Sequence, residues 1–290
     1  MDTFSLAGHD VHRVGFGAMQ LPGPGVMGPP RDHDEAIAVL RRAVELGVNH
    51  IDTAQFYGPD VSNQLIREAL HPYADDLALV SKVGAVRDAQ GGWIPAQQPK
   101  DLRAAVEENL RTLGVERLAA VNLRLMPADE HPTIPDDQRA PLEAQLEEMV
   151  ALREEGKIAG VGISTADREQ VEKAIEIADV VCVQNPFSLV DQHDRDVLNL
   201  CHEHGIAYVP YFPLGSAFPG MPKVTDNDTV KTVAERVGAS PAQVGLAWLL
   251  AHRDNVLLIP GTSSVAHLED NLRVAKLSLS EEDIAELDAI

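Results

Sequence analysis

Short apolar runs alternate along this chain with longer stretches whose apolar positions recur every three to four residues. The short runs read as strands: Arg13 to Met19, His50 to Thr53, Ala78 to Lys82, Leu118 to Leu123, Gly160 to Ser164, Val180 to Gln184, Ala207 to Tyr211 and Val256 to Ile259. Helical patterns lie between successive pairs, with no linker or low-complexity stretch, so the economical architecture is one α/β domain over residues 1–290, a (β/α)8 TIM barrel. The helix starts agree. Ser240-Pro241-Ala242-Gln243 sets a capping hydroxyl, a proline at the first helical position and a glutamine ahead of an apolar run, and Ser280-Glu281-Glu282-Asp283 opens the last helix similarly. Phe4 to His12 is expected to be a short N-terminal hairpin closing the bottom of the barrel.

Two irregular segments follow strands directly, the Pro/Gly-rich Leu21 to Pro30 and the stretch Met126 to Pro141. Loops after strands lie on the C-terminal face of such a barrel, where active sites are built, so these two are the candidates for closing a pocket. An apolar share of 44% supports a sizeable core, and no run of about 18 apolar residues is present that could span a bilayer. The start Met1-Asp2-Thr3-Phe4-Ser5 lacks the basic and apolar regions of an export signal, which leads to the expectation of a cytoplasmic protein. A net charge of −21 argues against nucleic acid or an anionic membrane as partner, because polyphosphate backbones are held by basic patches. Any anionic ligand then depends on a local cation or a helix start. Cys182 and Cys201 form neither a disulfide framework nor a metal pattern and read as small buried core residues.

The densest chemistry lies in Gly47-Val48-Asn49-His50-Ile51-Asp52-Thr53-Ala54-Gln55-Phe56-Tyr57-Gly58, followed one helix and one strand later by Ser81-Lys82. Asp52, Tyr57 and Lys82 thus fall at the ends of neighbouring strands. A phenol, with a reference pKa of about 10, is a poor acid at neutral pH, but an ammonium beside it favours the phenolate and makes it a usable proton donor. Asp52 would keep that ammonium charged and oriented. Singly, each residue is equally well a structural ion pair or a packed aromatic; together on adjacent strand ends they favour catalysis. The fourth strand carries Arg124, with Asn122 two residues earlier on the same face. A guanidinium there can polarise a carbonyl or hold an anionic substituent but cannot relay protons, and a barrel-mouth ion pair is the plainer alternative. A conventional dinucleotide fold is disfavoured: Gly15 to Gln20 and Gly160 to Thr165 each begin G-x-G and lack the third glycine. No histidine pair has convincing ligand spacing, since His202 and His204 point to different faces of a helix, and no metal is expected.

These residues, with Gly160-Val161-Gly162-Ile163-Ser164, Gln184, Tyr211-Phe212-Pro213-Leu214-Gly215-Ser216 and Ile259-Pro260-Gly261-Thr262 continuing to Asp270-Asn271, occur in the order found in the aldo-keto reductases, and the chain resembles that family over almost its whole length. The resemblance implies an NAD(P)H-dependent oxidoreductase reducing an aldehyde or ketone to an alcohol. In it Tyr57 would be the general acid, Lys82 the group that lowers the phenol pKa and Asp52 the partner of Lys82, while Arg124 stands where the family usually has histidine. It also implies that Ser164 and Gln184 hydrogen-bond the nicotinamide carboxamide and that Tyr211 stacks on its ring, with Thr165 in place of the common asparagine. Gly17, Met19, Asp52, Pro213, Leu214, Ser216 and Lys223 would line the rest of the cofactor path. Gly261, Thr262, Ser263, His267, Asp270 and Asn271 would hold the 2′-phosphate end, where hydroxyls and free N–H groups of a helix from about Val265 replace the lysine and arginine of many relatives. The implied cofactor is NADPH or NADP, with NADH the lesser alternative. Gln20, Tyr57, Trp93, Asn122 and Arg124 would contact substrate. Runs such as Gly17-Ala18-Met19-Gln20-Leu21 and Val121-Asn122-Leu123-Arg124 are shared with bacterial members that reduce pyridoxal to pyridoxine, an aldehyde whose acidic ring hydroxyl suits Arg124.

Other functions use some of the same residues. One is a general aldehyde or ketone reductase with another substrate; another is a cofactor-binding, redox-sensing regulatory protein. A third is an aldolase with Lys82 as Schiff-base nucleophile, which an adjacent acid disfavours because the nucleophile must be the free amine. The expected partner is a small carbonyl substrate alone, with no nucleic acid and no membrane, for a monomer or weak homo-oligomer.

Overall fold

The computed structural model describes residues 2–126, 136–138, 140–215 and 221–290. The chain opens with an antiparallel hairpin, β1 (Thr3–Leu6) and β2 (His9–His12), in the expected place. Strands and helices then alternate: β3 (Phe16–Gly17), α1 (His33–Glu45), β4 (His50–Asp52), α2 (Val61–Leu70), β5 (Ala78–Val83), a small hairpin of β6 (Ala85–Arg87) and β7 (Trp93–Pro95), α3 (Pro99–Leu113), β8 (Leu118–Arg124), α4 (Leu142–Glu154), β9 (Ile158–Ser164), α5 (Arg168–Ala178), β10 (Cys182–Gln184), α6 (Arg195–Glu203), β11 (Ala207–Tyr208), α7 (Asp228–Val237), α8 (Pro241–His252), α9 (Val265–Leu272) and α10 (Glu281–Asp288). Among the described residues no helix is long and apolar enough to cross a membrane.

Seven strands make one parallel sheet in the order β11-β10-β9-β8-β5-β4-β3. The eighth stave, expected as a strand over Val256 to Ile259, is an extended segment with only single parallel bridges on each side, Tyr208 to Val256 and Val14 to Leu258. Those bridges nonetheless close the barrel: Leu257 N–H donates to Tyr208 O at 2.9 Å, and Leu258 N–H to Arg13 O at 2.8 Å. Two other strands are shorter than expected. Arg13 to Met19 contributes only Phe16 and Gly17, because the chain turns into a 3-10 helix at Ala18–Gln20. Ala207 to Tyr211 is a regular strand only over Ala207–Tyr208: Pro210, which has no N–H, cannot extend the pairing toward the closing stave, although the Val209 and Tyr211 N–H groups still donate to Val183 O and Asn185 O.

Alternation along the strands sorts the side chains. Outward residues such as Ile51, Leu79, Val121, Ile163 and Val183 pack under the helices in the main core. Inward residues Ala78, Val80, Ala120, Cys182, Ala207 and Leu257 meet Leu6 and Val11 of the hairpin, which plugs the bottom. Gly162 is inward too, and a methyl group there would collide with the Asn122 amide and the Cys182 sulfur. The helices begin as their caps dictate. Ser240 and Ser280 each close a capping box, with Gln243 and Asp283. Cys182 and Cys201 are free and buried.

Candidate active site

The ladder that aligns β4, β5, β8, β9 and β10 pairs Asp52 with Val80, Lys82 with Asn122, Arg124 with Ser164, and Ser164 with Gln184. Polar side chains two residues apart on successive strands therefore converge on the C-terminal mouth. Lys82 is 5% exposed and its ammonium donates to Asp52 Oδ1 and, at 3.1 Å, to Thr53 O. The Lys82 Nζ also lies 5.1 Å from the centroid of the Tyr57 ring. Burial alone would lower the Lys82 pKa, but the Asp52 charge, Tyr57 and their hydrogen bonds outweigh it and raise the pKa above the usual lysine value. The structure thus brings Asp52, Tyr57 and Lys82 together, with the amine held as an ammonium.

Behind this pair, on the outward faces of β4 and β5, a buried amide network fixes the strand ends. Thr53 Oγ1 donates to Asn63 Oδ1 at 2.9 Å, Asn63 Nδ2 to Asn109 Oδ1 at 3.0 Å and to Thr112 Oγ1 at 2.9 Å, and Ser81 Oγ to Asn109 Oδ1 at 2.6 Å. Thr53 and Ser81 are the immediate neighbours of Asp52 and Lys82, so α2 and α3 lock the register of the two strands that carry the ion pair.

Several buried polar atoms at the mouth have no partner among the described residues. Gln184 Nε2 donates to Asp52 Oδ2 at 3.0 Å, yet Gln184 Oε1 accepts nothing. Asn122 Oδ1 accepts from Cys182 Sγ at 3.2 Å, while its Nδ2 is unpaired, as is Arg124 Nε. Unsatisfied buried groups are costly and cluster where a ligand completes them. The ion pair considered for Arg124 is not formed with any described residue; its guanidinium carbon lies 5.2 Å from the Trp93 ring centroid.

Trp93 belongs to β7 rather than to an irregular loop. Its ring meets Phe56 edge to face at 5.0 Å, and Phe56 meets Tyr57 in the same way at 5.4 Å. Met19, Val26, Ala54, Ala85 and Met126 complete this apolar patch beside Tyr57. The expected loop Leu21 to Pro30 docks here, as Gly58 N–H donates to Val26 O at 3.1 Å and Gly28 N–H to Gly58 O at 2.9 Å. Most of the other expected lid, Met126 to Pro141, lies outside the described residues. Gln20 is exposed and its Cγ sits beside Gly261. Arg87, which the sequence did not single out, lies with its guanidinium carbon 3.6 Å from the Trp93 centroid.

On the opposite side, Thr165 follows Ser164 with φ 58°, a left-handed conformation uncommon for a β-branched residue. It is held there by neighbours: Thr165 N–H donates to Gln184 O at 3.1 Å, and Asn185 pairs with Ala166 in both directions, at 3.1 and 2.7 Å. Asn185 is fixed by Asp194, which also accepts from Tyr208 OH at 2.7 Å. Burial raises the Asp194 pKa against the lowering effect of Tyr208 and Asn185. Sequence reasoning missed Asn185, Asp194 and Tyr208. Tyr211 comes within 3.4 Å of Thr165 Oγ1 through its hydroxyl, so Ser164, Thr165, Gln184 and Tyr211 do form one wall.

Beyond this wall, Gly17 and Gly261 pack so closely that a Cβ on either would stand 2.5 Å from a carbonyl oxygen of the other segment, Ile259 O and Gly17 O respectively. Leu214 packs on Gly245 of α8, half-buried Pro213 precedes it, Lys223 is exposed and bridged to Gly215, and Ser216 lies outside the described residues. Near α9, Thr262 is buried while Ser263 and His267 are exposed. The free N–H groups expected at this helix start are partly taken: Ser264 N–H donates to Thr262 Oγ1 at 3.1 Å and Val265 N–H to Glu35 Oε1 of α1 at 3.0 Å. Asp270 is tied to α8, accepting from Gln243 Nε2 at 3.0 Å and Ser240 Oγ at 3.3 Å, and half-buried Asn271 follows it.

A parallel barrel with an acid, an ammonium and a phenol buried at its C-terminal mouth is an enzyme site of the carbonyl-reducing kind. The Aldo/keto reductase family pattern matches residues 13–290, and the chain belongs to that family of oxidoreductases. It is 48% identical over 289 residues to the pyridoxine 4-dehydrogenase of Escherichia coli (strain K12), covering 100% of this chain and 98% of the relative. An aldo/keto reductase from Klebsiella pneumoniae in complex with NADP and acetate is similar with a TM-score of 0.81 at 26% identity, covering 99% of this chain and 94% of the other. A thermostable aldo-keto reductase in complex with the inhibitor epalrestat is similar to the same TM-score at 28% identity, over 99% and 97% of the two chains.

Proposed function

We propose that residues 1–290 act as a single barrel domain that reduces an aldehyde to an alcohol with NADPH, with pyridoxal and pyridoxine as the substrate pair. The observation that carries this reading is the buried ammonium of Lys82, held between Asp52 and Tyr57. The likeness to a pyridoxine 4-dehydrogenase at 48% identity supports the substrate.

The residues present fit a nicotinamide cofactor. Gln184 Oε1, buried and unpartnered, is an acceptor for a carboxamide N–H, and the adjacent Ser164 hydroxyl is a donor for its carbonyl. Gly17, Met19, Thr165, Tyr211, Pro213, Leu214 and Lys223 would hold the path beyond, and Gly261, Thr262, Ser263, His267 and Asn271 the 2′-phosphate end. Asp270 would contribute there by tying α9 to α8, since its carboxylate is already engaged by Gln243 and Ser240. When bound, the cofactor supplies the hydride that reduces the carbonyl carbon.

Tyr57 gives its phenolic proton to the carbonyl oxygen. The Lys82 ammonium stabilises the phenolate left behind, and Asp52 keeps that ammonium protonated and aimed. Arg124 orients the substrate by taking its ionised ring oxygen, which satisfies the buried Nε, while Trp93 and Phe56 flank the ring and Asn122 adds a donor deeper in the mouth. The raised Lys82 pKa leaves no free amine at neutral pH, which disfavours Schiff-base chemistry. We further infer a cytoplasmic enzyme, monomeric or weakly self-associating, in keeping with its charge of −21.

The test is NADPH consumption with an aldehyde panel that includes pyridoxal, repeated on Tyr57→Phe. Loss of the proton donor should lower kcat roughly a thousandfold while NADPH still binds. Wild-type turnover of other aldehydes in preference to pyridoxal would move the substrate, and full activity in Tyr57→Phe would remove the mechanism.

A further inference from the structure

Arg87, the last residue of β6, gathers backbone from three separate segments. Its Nη1 donates to Gly91 O at 2.7 Å, its Nε to Phe56 O at 3.3 Å, and its Nη2 to Gly25 O at 3.3 Å and Val26 O at 3.5 Å. Gly25 and Val26 lie in the loop after β3, Phe56 adjoins Tyr57, and Gly91 is in the β6–β7 turn. The guanidinium face meanwhile lies on the Trp93 indole. Only a planar fork of N–H donors meets carbonyls in several directions while stacking on a ring; a lysine ammonium would serve one or two of them and could not stack.

We propose that Arg87 is a positioning residue that builds the substrate side of the pocket: it clips the Leu21 to Pro30 loop onto the barrel mouth and holds Trp93 where the indole flanks both Phe56 and Arg124. Without this clip the loop keeps its backbone pairing with Gly58 and the packing of Leu21 and Val26 but loses its side-chain tie to β6, and Trp93 loses one stacked face. Burial lowers the Arg87 pKa while the nearby Tyr57 raises it and Arg124 lowers it, which agrees with a guanidinium seated beside both. Its hydrogen bonds go to the protein's own carbonyls, so Arg87 acts on substrate through Trp93 and the loop rather than by contact. The kinetic arm of the test rests on the aldehyde-reductase reading; the optical arm does not.

The experiment compares Arg87→Lys and Arg87→Gln with the wild-type chain. Trp248, the other tryptophan, is fully buried and serves as an internal reference, so a change in acrylamide quenching of fluorescence reports Trp93. Quenching should increase roughly twofold in both variants, and KM for the aldehyde the wild type reduces should rise roughly tenfold with kcat within about twofold and NADPH affinity unchanged. Unchanged quenching and KM in folded variants would overturn the proposal, as would equal losses of aldehyde binding, NADPH binding and kcat, which mark general damage. If Arg87→Gln does not fold, Arg87→Lys alone decides. If the wild type reduces no aldehyde, the functional reading falls while quenching still decides the role of Arg87.

Discussion

On β5 the side chains of Ala78 and Val80 enter the barrel among apolar neighbours, and two residues further on the same face carries Lys82. β8 repeats the change between Ala120 and Asn122, and β10 between Cys182 and Gln184. The lower half of the interior is closed by Leu6 and Val11 of the hairpin, and its inward groups satisfy one another by contact. The upper half contains an ion pair, an unpaired amide oxygen, an unpaired amide nitrogen and an unpaired guanidinium nitrogen, all buried. One step of the pleat separates groups whose burial stabilises the fold from groups whose burial costs stability, and the second set is where a ligand would be completed.

Breaking the ion pair tests this contrast most severely. Lys82→Met leaves Asp52 buried with a hydrogen bond from Gln184 but no countercharge, which should cost about 4 kcal/mol in urea unfolding. Adding Asp52→Asn should recover much of that stability while activity stays lost. Recovery of activity together with stability would mean that the pair is scaffolding, and the two halves of the barrel would no longer differ in kind.

His50 sits on β4 two residues below Asp52, at the boundary between the halves, 1% exposed with Nδ1 unpaired. Burial pushes its pKa down from 6.5 to about 4, against the raising effect of Asp52 and with a further lowering by Lys82. The sign follows from proton uptake: as pH falls from 6.5 to about 4 the unfolded chain protonates His50 and the folded one does not. This share of stability is therefore complete above pH 6.5 and lost by about pH 4, a change on the order of 3 kcal/mol. Stability curves of wild type and His50→Gln, measured by urea unfolding across that range, should diverge by this amount; parallel curves would show that His50 titrates freely and lies outside the dry half.

The parts that could be read from sequence are those whose cause is local. Alternating apolar runs located the strands, and the acid, phenol and amine were legible because strand ends of consecutive βα units must meet at one mouth. Val256 to Ile259 was legible as a stave, but its reduction to two bridges depends on how the barrel closes around it. Arg87 was not legible at all: its acceptors are carbonyls, which every residue possesses, and those of Phe56 and Gly25 come from 31 and 62 positions away. The same holds for Glu35, whose carboxylate reaches the Val265 N–H across 230 positions and occupies part of a helix start that sequence alone presents as free. Side chain to backbone contacts between distant segments leave no pattern along the chain, and those are what finish the cofactor and substrate walls.

The mildest test leaves the mouth untouched. Val11 is fully buried in the hairpin plug, and Val11→Ala removes two methyl groups from the lower half, for an expected loss of about 2 kcal/mol in urea unfolding. The mouth is anchored from outside the barrel, by the amide network that α2 and α3 extend to Thr53 and Ser81, and not through the plug. kcat, KM and NADPH affinity should therefore match the wild type at temperatures where both are folded. A changed kcat would show that packing at the bottom sets the geometry of Asp52 and Lys82, and the division of labour along each strand would then be one of degree.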